Sequence, residues 1–258
     1  MSNLSELMAN AKRLVVKVGS SSITGANSHQ LDALVEALAS SHSDGKQVIL
    51  VTSGAIATGM PLLEIDSKPE DLATSQALAA VGQSRLIARY QAQLEKFGIV
   101  AGQVLLTSED LEGEETRVNA KRAMNRLVEL HVMPIVNEND TVATAEIRFG
   151  DNDKLAALVA VLVDADVLVL LSDVDALYTA PPSLPEAKRI ETVAFADDLS
   201  GIEIGGSSSV VGTGGAVTKV SAAKLANAAG IPVIFTSTPN VAAALNGQNV
   251  GTLFEAAK

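Results

Sequence analysis

The 258-residue chain contains no cysteine and no tryptophan, and aromatic residues make up only 3% of it. Without cysteine there can be no disulfide, no thiolate metal ligand and no cysteine nucleophile. With so few rings, the core has to be filled by Ala, Val, Leu and Ile, which suits a parallel sheet covered by helices. Basic residues are scarce as well: 19 Lys and Arg stand against 30 Asp and Glu, a net charge of −11. That balance argues against nucleic acid or an anionic membrane as a partner, although a few local cations can still bind an anionic substrate. Long apolar runs are missing too. The longest, around Leu155–Val163, is about half a membrane span and is bounded by aspartates. The opening MSNLSELMANAKRLVVKVG has no basic start followed by a long apolar stretch, so no signal peptide is read. A cytoplasmic protein that does not enter a membrane is expected. The histidines, His29, His42 and His131, show neither metal spacing nor a triad and are read as structural or surface residues.

What is present is apolar alternation: 47% of the residues are hydrophobic. Strand patterns fall at Arg13–Val18, Gln47–Val51, Val100–Leu106, Val132–Val136, Asp166–Leu171 and Pro232–Thr236. Helical patterns separate them at Ser28–His42, Glu70–Phe97, Glu114–Leu130, Asp151–Val163, Ala216–Ala229 and Pro239–Leu245. Thr141–Phe149 reads as a β-hairpin or flap, Leu177–Pro185 as a Pro-rich loop, and Gly201–Gly215 as a mobile Gly/Ser-rich loop. The expected fold is α/β: a three-layer αβα sandwich on a mostly parallel sheet, joined by right-handed crossovers. In such sheets ligands bind beyond the carboxyl ends of the strands. Polar residues gather at four such ends, in Lys17–Ser20, Thr52–Gly54, Asn137–Asp140 and Ser172-Asp173.

Each cluster has an ordinary and a functional reading. Lys17 interrupts an apolar strand; it either snorkels from a sheet edge or meets an anion, with Gly19 allowing close backbone approach. Thr213-Gly214-Gly215-Ala216-Val217-Thr218-Lys219 enters a helix. It is either a flexible loop with a cap or an anion site of free amides with Lys219 in the first helical turn. It matches neither a Walker A motif nor G-x-G-x-x-G, and the first strand lacks that fingerprint too, which argues against a Rossmann dehydrogenase. Asp151-Asn152-Asp153 precedes an apolar helix. One cap needs one such residue, so the others are expected to point into a site. Asn137-Glu138-Asn139-Asp140 is either a solvated turn or a holder for a zwitterion. Thr52-Ser53-Gly54-Ala55 is not a nucleophile elbow.

Taken together and in this order, these residues resemble the amino acid kinase family. The likeness also includes Ala79-Ala80-Val81-Gly82-Gln83, Gly150–Asp153 and Leu171-Ser172-Asp173, and runs from about Lys12 to Phe254. The resemblance implies ATP-dependent phosphorylation of the glutamate side-chain carboxylate, a step toward proline. It implies Lys17 and Lys219 on the transferring phosphoryl group, with Asp153 orienting both. Ser53, Gly54, Asn137, Asp140, Arg148 and Asn152 are the implied glutamate-binding residues. Lys17, Gly19, Ser172, Asp173 and Thr213 through Lys219 (Gly214, Gly215, Ala216, Val217 and Thr218 among them) are the implied ATP-binding residues. Mg²⁺ is expected to arrive on ATP; a homo-oligomer and coupling to a glutamyl-phosphate reductase are also implied. One kinase domain over 1–258 is expected, a glutamate lobe to about residue 165 and an ATP lobe beyond, with no C-terminal PUA domain. Departures from the family pattern are Gly19-Ser20-Ser21, Arg148 in place of lysine, and Ala216-Val217 in place of Met-Ser. Two alternatives stand beside this reading: a related kinase with another carboxylate or phosphate acceptor, and a non-catalytic amino-acid sensor on the same fold.

Overall fold

Apolar residues on both faces of successive strands decide the architecture. In a computed structural model of the chain, residues 4–67, 69–142, 152–180, 182–197, 199 and 216–257 are described. The strands are β1 (Arg13–Lys17), β2 (Gln47–Val51), β3 (Val100–Leu106), β4 (Val132–Glu138), β5 (Val167–Ser172), β6 (Leu177–Tyr178), β7 (Arg189–Ile190), β8 (Thr192–Val193), β9 (Val233–Ser237) and β10 (Thr252–Phe254). The α-helices are α1 (Leu4–Asn10), α2 (Gln30–Ser43), α3 (Ala55–Gly59), α4 (Leu72–Glu95), α5 (Ser108–Glu112), α6 (Glu114–Glu129), α7 (Asp153–Leu162), α8 (Ala216–Ala228) and α9 (Val241–Leu245).

One eight-stranded sheet runs in the order β3-β4-β2-β1-β5-β9-β10-β8, and β6 and β7 form a separate antiparallel pair. From β3 through β9 every neighbouring pair is parallel; β10 turns back against β9, and β8 lies parallel to β10. The expected three-layer, mostly parallel sandwich is present. Alternate residues of each strand feed two cores, as a period of two requires. Leu14 and Val16, Val48 and Leu50, and Val167 and Val169 meet α1, α2, α4 and α9 on one face. Val15, Ile49 and Val51, Leu168 and Leu170 meet α5 to α8 on the other.

Several boundaries differ from the sequence reading. β4 continues two residues past Val136, because Asn137 and Glu138 still pair with Leu105 and Leu106 of β3. The segment read as a Pro-rich loop from Leu177 begins with a strand, whose Leu177 and Tyr178 pair with Ile190 and Arg189. α4 starts at Leu72 rather than Glu70, because the Asp71 carboxylate accepts from the Thr74 amide at 2.7 Å and fixes the cap there. The flap expected at Thr141–Phe149 lies outside the described residues apart from Thr141 and Val142, and the loop expected at Gly201–Gly215 lies wholly outside them.

Helices α3 and α4 pack at a separation only glycine permits. A Cβ on Gly82 would stand 1.8 Å from the Ala55 carbonyl oxygen, and one on Gly59 would stand 2.1 Å from that of Leu78. This contact lays α4 against the carboxyl ends of β2 and β4, where the polar clusters are.

Candidate active site

Because β1, β2, β4 and β5 are parallel, their polar exits emerge on one side of the sheet. Lys17 closes β1, in the middle of the sheet and on the face of α7. It is 1% exposed, and its Nζ lies 2.6 Å from Oδ1 of Asp153 at the first position of α7. The other oxygen of that carboxylate lies 2.9 Å from Nζ of Lys219, from the first turn of α8. Thr218 Oγ1 donates to the same oxygen at 3.2 Å. The Asp153 side chain is fully buried. Burying ions is tolerable only when they are paired and hydrogen-bonded, so one carboxylate between two ammoniums fixes all three. The trio carries a net positive charge, which suits an incoming anion. A Cβ on Gly19 would stand in ordinary contact, 3.9 Å from the Lys17 ammonium, and its φ of −80° suits any residue, so neither space nor backbone conformation demands glycine here.

A chain of amides lies beside the trio. Asn152 occupies the N-cap position of α7 but makes no side-chain cap. Its Nδ2 donates instead to the Thr52 carbonyl and, at 2.7 Å, to Asn137 Oδ1. Asn137 Oδ1 also accepts from the Glu138 amide at 2.9 Å, and Asn137 Nδ2 donates to Gln83 Oε1 of α4 at 2.6 Å. Of the three residues read as one cap and two site residues, Asn152 stands at the N-cap position without capping through its side chain, Asp153 pairs with the two lysines, and Asp151 lies outside the described residues. Thr52 is held a second time, its hydroxyl 2.9 Å from the Tyr90 hydroxyl of α4. Burial pushes the Tyr90 phenol up, well above its ordinary value. Ser53 Oγ donates to the Val18 carbonyl at 3.3 Å, tying β2's exit to that of β1. Gly54 follows with φ of 107°, a left-handed turn that starts α3 and brings its Cα hydrogen against Ser20.

Next to this chain a cavity of about 310 Å³ is lined by Gln83, Ser84, Gln103, Glu138, Asp140 and Thr141, among others. Burial raises the Asp140 carboxyl to about 6. Burial, then the neighbouring Asp140 and Asp110 charges, raise Glu138 to about 7, against a smaller opposing pull from Lys154. A cation entering the cavity would favour the ionised form of both.

Of the residues singled out from sequence, Lys17, Asp153, Thr218 and Lys219 meet directly, and Asn137 and Asn152 bond to each other. Asp140 lines the cavity. Ser172 ends β5 and Asp173 follows it, the Ser172 hydroxyl donating to the Asp173 carboxylate at 3.0 Å. Val217 is exposed on α8. Arg148, Thr213, Gly214 and Gly215 lie outside the described residues, as does the side chain of Ala216. Gln83, Thr52 and Tyr90 are contributors to which the sequence reading gave no role. Their signal is a pair of polar-ended side chains, Gln83 and Tyr90, seven residues apart on α4. Among the described residues no group of three or more His, Cys, Asp or Glu could hold a metal ion, and no helix is long and apolar enough to cross a membrane.

Comparison with known proteins gives a consistent picture. The sequence profile of the amino acid kinase family matches residues 12–237. The chain is 64% identical over 247 residues to a glutamate 5-kinase of Clavibacter sepedonicus, covering 96% of this chain and 95% of that one. It is 62% identical to a glutamate 5-kinase of Leifsonia xyli subsp. xyli, covering 96% and 92%. It is 51% identical over 261 residues to a glutamate 5-kinase of Streptomyces coelicolor, covering 99% of this chain and 70% of the relative.

Proposed function

The chain belongs to the amino acid kinase family, and on that footing we propose that it transfers the γ-phosphoryl group of ATP to the side-chain carboxylate of L-glutamate, giving L-glutamyl 5-phosphate and ADP as the first step of proline synthesis. The observation that carries this reading is the buried Lys17–Asp153–Lys219 trio at the exit of the central strand. Phosphoryl transfer asks for in-line positioning and neutralisation of charge spread over the equatorial oxygens, with little covalent help from the protein. A carboxylate acceptor is already a nucleophile and needs no general base. Its oxygen attacks the γ-phosphorus, the bond from that phosphorus to the β–γ bridging oxygen breaks, and the electron pair leaves with ADP. In this reading Lys17 and Lys219 neutralise the transferring group from two sides, while Asp153 holds both ammoniums in register.

Glutamate fits the other half of the site. Its ammonium is assigned to Asp140, whose raised pKa is the mark of a buried carboxylate that gains from a cation. Ser53, Gly54, Asn137, Asn152 and Arg148 are assigned to its carboxylates and backbone. ATP is assigned to Gly19, Ser172, Asp173 and the 213–219 segment, so that residues to about 165 serve the acceptor and those beyond serve the nucleotide. Mg²⁺ is taken as part of the nucleotide substrate, supplying charge to its phosphates. A cytoplasmic homo-oligomer, with a reductase consuming the labile acyl phosphate, completes the proposal. The experiment is an ADP-release assay across glutamate, N-acetylglutamate, aspartate, carbamate and UMP. Glutamate turnover alone supports the assignment; turnover of another acceptor without glutamate would replace it.

A further inference from the structure

We infer that Ser237 is a nucleotide-binding residue, whose hydroxyl pairs with a ribose hydroxyl of ATP. The inference rests on the phosphoryl-transfer reading and deepens it. The sheet order separates the two halves of the reaction. β1 carries Lys17 in the middle. On one side of it β2 and β4 lead to Thr52 and Asn137, which Asn152 ties together, and to the cavity around Asp140. A nucleotide held by its transferring end at Lys17 and Lys219 therefore extends the other way, over the carboxyl ends of β5 and β9. α8 precedes β9 and covers the same face of the sheet as α7, with Lys219 in its first turn at the edge where Lys17 ends β1.

Thr236-Ser237-Thr238, where β9 ends, is a further polar strand exit on that side. Register places it: Ser237 pairs with Ser172 of β5, and Lys17 of β1 pairs with Leu170. In steps of two, Lys17 follows Val15, Ser172 follows Leu168 and Leu170, and Ser237 follows Val233 and Phe235, all in the core that meets α7 and α8. Lys17, Ser172 and Ser237 therefore stand on one face of the sheet. Ser237 is two strands across and two residues along from Lys17, on the order of 12 Å at ordinary strand spacing. That is beyond the transferring phosphoryl group and suits the sugar. Ser237 is 8% exposed and holds the N-cap position of the short 3₁₀ turn Thr238–Asn240, yet its side chain makes no cap bond. Serine at such a position ordinarily caps, and a buried hydroxyl without a partner is costly. The hydroxyls beside it are engaged. Thr236, on the opposite face, donates to the Asp175 carbonyl at 3.2 Å, and Ser172 donates to the Asp173 carboxylate at 3.0 Å. Among the described residues the Ser237 hydroxyl has no hydrogen-bond partner. A hydroxyl both donates and accepts, which matches the ribose hydroxyls; a phosphate would call for a cation or an amide.

Ser237→Ala removes the hydroxyl and little else. In steady-state assays with L-glutamate as acceptor, it is expected to raise the KM for ATP about threefold to tenfold, the worth of one neutral hydrogen bond, with kcat and the KM for glutamate unchanged. The analogue 2′,3′-dideoxyATP lacks both ribose hydroxyls. Its KM with the wild-type protein is expected to stand above that for ATP by a similar factor, and Ser237→Ala is expected to raise it no further, since the effects of removing two groups in contact do not add. An unchanged KM for ATP in Ser237→Ala overturns the inference. So does a rise of equal size for both nucleotides, which is what loosened packing at the strand end would give. Wild-type protein with the same KM for ATP and for the dideoxy analogue overturns it as well, whether or not Ser237→Ala folds. Wild-type protein that turns over no acceptor with ATP overturns the phosphoryl-transfer reading, and this inference falls with it; ordinary wild-type turnover with any of the failures above sinks the inference alone.

Discussion

Replacing Asp153 by asparagine is expected to damage stability more than replacing either lysine, and the geometry gives the size. The carboxylate is fully buried and holds Lys17 at 2.6 Å and Lys219 at 2.9 Å. Asparagine is nearly isosteric with aspartate, so the change removes charge and little volume. It leaves two buried ammoniums facing each other with an amide between them. Removing one partner from a buried ion pair typically costs about 3–5 kcal/mol, because the remaining charge stays desolvated. At about 2–4 °C per kcal/mol for a chain of this size, Asp153→Asn should lower the melting temperature by roughly 6–20 °C. Lys219→Met differs, because Asp153 keeps Lys17 and no carboxylate is stranded; its cost should be clearly smaller, while activity falls by on the order of 10²–10³. The assay is thermal unfolding of the ligand-free protein followed by circular dichroism, with ADP release measured on the same samples. A melting temperature for Asp153→Asn within the error of wild type would show that the carboxylate does not hold the two ammoniums in the folded protein. A Lys219→Met variant destabilised as much as Asp153→Asn would contradict the ordering.

Further outcomes follow from neighbouring contacts. Tyr90→Phe removes a buried hydroxyl 2.9 Å from Thr52 Oγ1 and should cost about 1–3 kcal/mol in chemical denaturation, since Thr52 loses its buried partner. Gly82→Ala places a methyl 1.8 Å from the Ala55 carbonyl oxygen and 2.5 Å from the Gly59 nitrogen, so α3 must move off α4. Soluble yield and melting temperature should both fall, by more than an ordinary overpacking change of about 1–3 kcal/mol. The raised Glu138 and Asp140, at about 7 and about 6, bind protons more tightly folded than unfolded. Their share of ligand-free stability is therefore present in acid and lost as pH rises through that window, and Glu138→Gln should flatten the loss. Glutamate affinity should move the other way, tightening as pH rises through about 6, and Asp140→Asn should remove that dependence.

The sheet was legible because its strands are apolar on both faces and bounded by polar exits; β3 is found where its pattern placed it, at Val100–Leu106. The reversed edge was not. β10 is three residues long and β8 two, too short for a periodic signal, and their direction is set by the partners they pair with rather than by their own residues. Within the site, Lys17 stood out because a buried charge in an apolar strand is costly enough to need a reason, and Asp153 because it is one of three cap-type residues in a row before a helix. The Gln83–Asn137 contact did not stand out, since a glutamine on a long helix is unremarkable until β4 brings Asn137 against it. Asn152 was legible as a helix start but not as a donor to Thr52 and Asn137, because capping is local and those contacts are not. The α3–α4 contact was also hidden, since Gly59 and Gly82 acquire meaning only as a pair.

Glutamate-dependent release of ADP by the purified chain is the decisive measurement. The arrangement of Lys17, Asp153 and Lys219 beside the Asn137–Asp140 exit predicts ADP release that requires both ATP and L-glutamate, with an acid-labile acyl phosphate as co-product. ADP release at the same rate without glutamate, or only with a different acceptor, would contradict it.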